Sequence, residues 1–193
     1  GKRCPEVTCH AGYNVDVTDT AELKQALRAS IRAARIAMGE DQRATSRAGL
    51  TARLSELVRA QGASSLTCFL PMTSEPDTRP FLEWAQQQGI DTLLPSSRPD
   101  GQLGWIRPSD AGTVRGAHGV DEPLGEILGP DAIESIDLML IPAAAIDFHG
   151  NRLGWGRGYF DRTLARLDGR APVFAVIHDQ ELLDSVPTEP HDV

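Results

Sequence analysis

IDLMLIPAAAIDFHGNRLGWGRGYFDR, residues 136–162, is the stretch that decides the fold. It opens on a mainly apolar run, 136–141, short enough for a strand and apolar enough to be buried on both faces, and Pro142 ends that run. It closes on Phe160, Leu164 and Leu167, which follow Gly158 at helical spacing. Between them lies a glycine-rich loop. Strand, loop and helix in that order are the repeating unit of an open parallel sheet covered by helices.

Outward from this unit the same grammar continues. Apolar runs recur at 66–70, 90–94 and 173–177, each ended by Pro, His or a turn, with a helical stretch at 79–88 between the first two. Upstream, a helix starts at Asp19, a capping residue with Glu22 three places on. It carries Leu23, Leu27, Ile31, Ala34 and Met38 on one face as far as Gly39. Lys24, Arg28 and Arg32 recur every fourth residue along its flank. A second helix, 42–60, has Leu50, Leu54, Leu57 and Val58 on one side and stops before Gly62. Residues 96–129 are rich in Pro, Gly and Asp and are expected to be irregular, apart from a strand near 103–106. The expected fold is α/β: a layered, open, mainly parallel sheet flanked by helices, Rossmann-like in kind. With no internal repeat, residues 19–193 are expected to form one domain behind an N-terminal extension, 1–18.

A chain of 193 residues with 40% hydrophobic and 24% charged residues has the length and balance of a globular protein with its own core. Its net charge of -8 repels polyanions, so no nucleic-acid partner is expected. No apolar run reaches the length of a membrane span, and the first residues lack the pattern of a signal peptide. Cys4, Cys9 and Cys68 are few and odd in number, and Cys68 lies in an apolar run where a buried free thiol is expected. A reducing, cytoplasmic location fits. Cys4, Cys9 and His10 lack the paired spacing of a metal site.

Ligands of open parallel sheets bind beyond the carboxyl ends of the strands, which points to two loops, 71–78 and 142–162. In the second, Gly150, Gly154, Gly156 and Gly158 let backbone N–H groups close on an anion, while Arg152 and Arg157 supply positive charge. The helix that follows adds its N-terminal partial charge. Glycines and an asparagine also mark a plain surface turn. Two arginines, Trp155, Tyr159 and a helix start beyond a strand favour a phosphate cradle instead. GWGRGY is neither a dinucleotide fingerprint nor a Walker loop. Asp161 falls in the first turn of the helix. At about 4 Å and an effective dielectric near 20, it would repel a phosphate charge by about 4 kcal/mol. A Mg²⁺ ion between the two removes that conflict, although an acid that merely complements the helix dipole also accounts for Asp161.

RLGWGRGYFDR, preceded by IPAAAIDFHGN, resembles the glycine-rich motif of the 5-formyltetrahydrofolate cyclo-ligase family. KQALR at 24–28, FLPMTSEPDT at 69–78 and VPTEPHDV at 186–193 fall in the family's order and spacing, so the resemblance runs from about Ala21 to the end. It implies an α/β sheet fold and an ATP-driven ring closure that converts 5-formyltetrahydrofolate to 5,10-methenyltetrahydrofolate, releasing ADP and phosphate. The formyl oxygen attacks the γ-phosphate, and the neighbouring folate nitrogen then adds to the activated carbon.

Residue by residue, the resemblance implies an ATP loop of Arg152, Leu153, Gly154, Trp155, Gly156, Arg157, Gly158, Tyr159 and Phe160, with Lys24 and Arg28 reaching the phosphates. Arg152, Arg157 and Tyr159 are the implied catalytic residues. Leu70 and Glu75 match folate contacts, and Trp155, Gly156, Arg157, Gly158 and Tyr159 also face the folate. Asp161 and Asp192 match Mg²⁺ ligands. Without the family, Lys24 and Arg28 read as a solvated helix flank and Glu75 as a loop acid; Trp105 offers a ring that could pack on a pterin or benzoyl group, with a buried core tryptophan the more ordinary expectation. Phe160 stands where the family commonly has a second tyrosine, and Arg157 is Lys or Gly in many relatives. The expected partner is the small-molecule folate, with the chain acting as a monomer. The alternative is a folate- or nucleotide-binding relative without catalysis.

Overall fold

The computed structural model describes residues 20–115, 121–167 and 169–189. The extension, the Asp19 cap, Cys4, Cys9, His10 and Asp192 lie outside the described residues. In chain order the elements are α1 (Thr20–Ala37), α2 (Glu40–Gln61), β1 (Ser65–Thr67), α3 (Arg79–Gln87), β2 (Asp91–Ser97), β3 (Leu103–Arg115) and β4 (Asp121–Leu128). There follow β5 (Leu138–Pro142), β6 (Ala145–Asp147), β7 (Arg152–Leu153), α4 (Tyr159–Leu167), β8 (Val173–Val176) and β9 (Leu182–Leu183). Short 3₁₀ turns lie at Pro130–Ser135 and Asp179–Glu181.

The large sheet has the strand order β4-β3-β2-β1-β5-β8. β1, β2, β5 and β8 run parallel, as expected, and β3 and β4 extend the sheet antiparallel. The four parallel strands are short and apolar because both faces are covered. Along β5, Leu138 and Leu140 face one core with Leu54, Val58, Leu66 and Phe81, on the side of α2 and α3. Met139 and Ile141 face the other, with Leu103, Trp105, Ile133 and Leu167 of α4. This alternation places helices on both sides of the sheet. α1 stands apart: its Ile31 and Leu27 pack on Ala144, Ala145, Leu153 and Val186.

Helix ends follow the sequence signals. Gly62 adopts φ 62° after α2, where it and Ala63 donate to the carbonyls of Arg59 and Val58 at 3.1 Å each. Cys68 is a free thiol, 1% exposed, and burial pushes its pKa up to about 12, so it is an inert core residue.

The expectation for 96–129 needs correcting. Most of it is a long hairpin, in which β3 pairs with β2 through Leu94↔Ile106 and with β4 through Trp105↔Leu128. Its prolines disguise it. The register shifts between Pro108 and Thr113, and Pro123 sits on the edge strand, where a missing N–H breaks no inner ladder. Residues 142–162 are likewise more ordered than a loop: β6 and β7 form a second small sheet with β9, in the order β7-β6-β9. Two- and three-residue strands leave no readable periodicity. Among the described residues, no helix is long and apolar enough to cross a membrane.

Candidate functional site

The chain leaves β1 for β2 on one side of the sheet and later returns to place β5 on the other. Connections therefore diverge between β1 and β5, and the loops beyond those two strands open a crevice. Its walls are Phe69, Leu70, Met72 and Glu75 after β1, Pro142 at the end of β5, and Arg152, Gly154, Trp155, Gly156, Arg157, Gly158, Tyr159, Phe160 and Asp161 of the glycine-rich stretch. The hairpin side adds Leu94, Pro95, Ser97, Leu103, Glu122 and Pro123. The empty volume of this cleft, mouth included, is about 1080 Å³.

The glycine-rich wall is held from below. Asp147, only 2% exposed, closes the entry to the loop: its Oδ1 accepts from the N–H groups of His149 and Asn151 at 2.9 Å each. Its Oδ2 accepts from Asn151 Nδ2 at 2.9 Å and from the Val186 N–H at 3.1 Å. Burial alone would raise this carboxyl, but these hydrogen bonds prevail and hold it below the usual carboxylate range. Leu153 then anchors the strand through its carbonyl, which accepts from the Ala144 N–H at 2.7 Å.

Beyond Leu153 the backbone turns twice through the left-handed region, at Gly156 (φ 87°) and Gly158 (φ 68°). A Cβ at Gly158 would also lie 2.8 Å from Arg162 Nη1. The backbone N–H groups of residues 155–158 donate to no described residue. Unengaged N–H groups before a helix start form a nest suited to an anion.

The side chains expected from sequence fall into three groups. Leu70, Glu75, Arg152, Gly154, Trp155, Gly156, Arg157, Gly158, Tyr159, Phe160 and Asp161 are together in the cleft. Leu153 is turned into the core, 1% exposed, so only its backbone is available. Lys24 and Arg28 approach from α1 behind the loop: Arg28 Nε donates to the Gly154 carbonyl at 2.7 Å, and Lys24 Nζ donates to Glu189 Oε2 at 2.5 Å. They are not a solvated flank, for the Lys24 side chain is 7% exposed. Trp105 is a core residue, 1% exposed.

Arg152 and Asp161, assigned separately from sequence to phosphate and metal, form an ion pair with each other. The pair is asymmetric: the Arg152 side chain is 6% exposed and that of Asp161 39%. Asp161 Oδ2 makes no hydrogen bond to a described residue. Across the cleft, burial pushes the Glu75 carboxyl up, while the Met72 N–H, donating at 2.9 Å, and the Arg35 guanidinium draw it back.

Sequence reasoning missed several groups here. Glu122 arrives on the unforeseen hairpin. Arg162 lies over the Tyr159 ring, 5.3 Å from its centroid, and donates to the Gly101 carbonyl at 2.9 Å, joining α4 to the turn before β3. Arg32 and Arg35 approach the Trp155 ring, at 5.2 and 5.1 Å from its centroid. The spacing of arginines along α1 was the available signal for the last two.

Fold and cleft define an α/β open-sheet protein of the class whose ligands bind where parallel strands diverge. The solved structure of 5,10-methenyltetrahydrofolate synthetase from Aquifex aeolicus superposes with a TM-score of 0.74 and 26% identity, covering 89% of this chain and 86% of that one. The synthetase from Mycoplasma pneumoniae superposes with a TM-score of 0.69 at 23% identity, covering 88% of this chain and 93% of that one, a likeness of fold. The 5-formyltetrahydrofolate cyclo-ligase of Mycolicibacterium smegmatis is 37% identical over 134 residues, 67% of this chain and 69% of that protein. The model of the 5-formyltetrahydrofolate cyclo-ligase family matches residues 20–193. The chain belongs to that family, a family of ligases.

Proposed function

We propose that this chain closes the ring of 5-formyltetrahydrofolate to give 5,10-methenyltetrahydrofolate, at the expense of ATP and with release of ADP and phosphate. The observation that carries this reading is that one cleft holds both a cationic nest of unengaged N–H groups, residues 155–158, and a wall of Leu70 and Glu75. One ligand brings phosphates and the other a ring system. The cleft offers each a matching surface.

A formamide carbon is a poor electrophile with no good leaving group. Attack by the formyl oxygen on the γ-phosphorus forms a P–O bond, breaks the bond to ADP and makes the oxygen part of a phosphate ester. The neighbouring folate nitrogen then adds to the carbon and loses its proton, and the C–O bond breaks as phosphate leaves. The protein positions these groups and neutralises charge on the phosphoryl oxygens. Backbone N–H groups of the nest hold the phosphate chain, and the Arg157 guanidinium, without a hydrogen bond to any described residue, meets the transferring group. Arg152 lies deeper. Its partner Asp161 keeps it oriented at the base of the nest. Arg28 braces the loop from behind through the Gly154 carbonyl and adds positive potential there, while Lys24 is held by Glu189.

Mg²⁺ would supply further charge neutralisation when bound. Asp161 fits it: its carboxylate lines the cleft and has an oxygen not bonded to any described residue. Among the described residues there is no cluster of three or more potential metal ligands, so phosphate oxygens and water would complete the shell, as is usual for Mg²⁺. The test is the near-ultraviolet absorbance of the methenyl product, followed with and without ATP. Absorbance that grows equally without ATP, or binding of both ligands with no product, defeats the proposal.

A further inference from the structure

Arg35 is the largest charged side chain in the core, 1% exposed, and no part of the reaction described above uses it. Its Nε donates to Glu181 Oε1 at 2.6 Å and its Nη2 to Glu181 Oε2 at 2.7 Å. Nη2 also donates to the carbonyl of Ala143, the residue after β5, at 3.0 Å. Glu181, 3% exposed, is fixed in turn by the His178 N–H, which donates to Oε2 at 2.8 Å. The result is a planar fork held bidentate along its Nε–Nη2 edge, while the buried Nη1 has no hydrogen-bond partner among the described residues. A buried ion pair of this kind rarely stabilises more than well-packed apolar residues in the same space. What it adds here is a fixed cation at a chosen place, with its Cζ 5.1 Å from the Trp155 ring centroid and its field acting on Glu75.

We infer that Arg35 is a positioning residue of the cleft: clamped by Glu181 and Ala143, it fixes the Trp155 ring on the wall that the glycine-rich loop builds. One guanidinium thereby ties together α1, the end of β5, the 3₁₀ turn at Asp179–Glu181 and the glycine-rich loop. Arg32, 5.2 Å from the same ring centroid, cannot substitute, because its guanidinium lacks the buried carboxylate that fixes Arg35. Burial raises the Glu75 carboxyl, and the Met72 N–H of its own loop and the Arg35 charge draw it back. The other charged groups lining the cleft are Glu122, Arg152, Arg157 and Asp161. The kinetic part of this inference rests on the proposed reaction; the positioning of Trp155 does not.

The experiment uses the full chain carrying Trp84→Phe, so that acrylamide quenching of tryptophan emission reads Trp155 against the buried Trp105. Arg35→Met alone strands a buried carboxylate, so the test variants are Arg35→Met/Glu181→Gln, which removes both charges, and Arg35→Lys, which keeps the charge and loses the fork. The double variant is expected to quench at least twofold more readily, to raise KM for the folate several-fold with a smaller change in kcat, and to move the acid limb of kcat/KM to higher pH, since Glu75 loses its neighbouring cation. Arg35→Lys should share the first two effects and leave the acid limb in place. If the folded double variant matches the parent in quenching, the pair is only structural and the inference is overturned. If the parent itself shows no ATP-dependent turnover, the functional reading falls, and quenching alone still decides whether Arg35 holds Trp155.

Discussion

Each charged residue of the cleft takes its meaning from its partner. Arg152 reads as a phosphate ligand in isolation, yet it is nearly buried against Asp161. Arg152→Ala removes one or two charge-assisted hydrogen bonds, each worth about 1.5–3 kcal/mol, and should lower kcat/KM at least tenfold in initial-rate measurements. Asp161→Asn should leave the fold intact, because its side chain is 39% exposed, and should raise the Mg²⁺ concentration needed for half-maximal rate by about tenfold. An unchanged metal requirement in that variant would remove Asp161 from the metal site.

The glycine-rich loop works as an element because its backbone is preset. Gly158 holds φ 68°, a conformation that costs a residue with a Cβ about 1–2 kcal/mol, and a methyl there also meets the Arg162 guanidinium at 2.8 Å. Gly158→Ala is therefore expected to lower the melting temperature by a few degrees and to raise KM for ATP much more than KM for the folate. Equal changes in both constants would mean that the nest does not hold the nucleotide. The hairpin of β3 and β4 is the opposite case, an element whose strands carry prolines and expose Ile127 at 80%, so it depends on pairing with β2 for its shape. Through Glu122 and Pro123 it builds a wall of the cleft that no motif announces.

At the scale of the molecule, stability and site share one buried carboxylate. Asp147 joins the loop entry to the segment at Val186, which runs on to Glu189 and its pairing with Lys24. Its folded pKa lies below the ordinary value, so it contributes stability above the unfolded pKa of about 3.9 and loses that contribution as the pH falls through the lower folded value. Asp147→Asn should cost about 2 kcal/mol or more at pH 7 in urea unfolding, with a difference from the parent that shrinks on acidification below about pH 4. A difference constant from pH 7 to pH 3 would show that shape, not charge, holds the loop. In the main core, Leu138→Ala, at a position fully buried between the sheet and its covering helices, should cost about 2–5 kcal/mol by the same measurement.

Periodicity along the chain determined the helices, the four parallel strands and the glycine-rich turn, because each has a repeat or a breaker that acts within a few residues. RLGWGRGYFDR and the segments matching it were enough to indicate the family. Only the tertiary structure decided that the proline-rich region is a hairpin, that Arg152 is bound to Asp161, that Lys24 is buried against Glu189, and that Arg35 reaches Trp155. The physical reason is sequence distance: these partners are brought together by the crossing of strands and helices, and a charge records nothing locally about the group that will neutralise it.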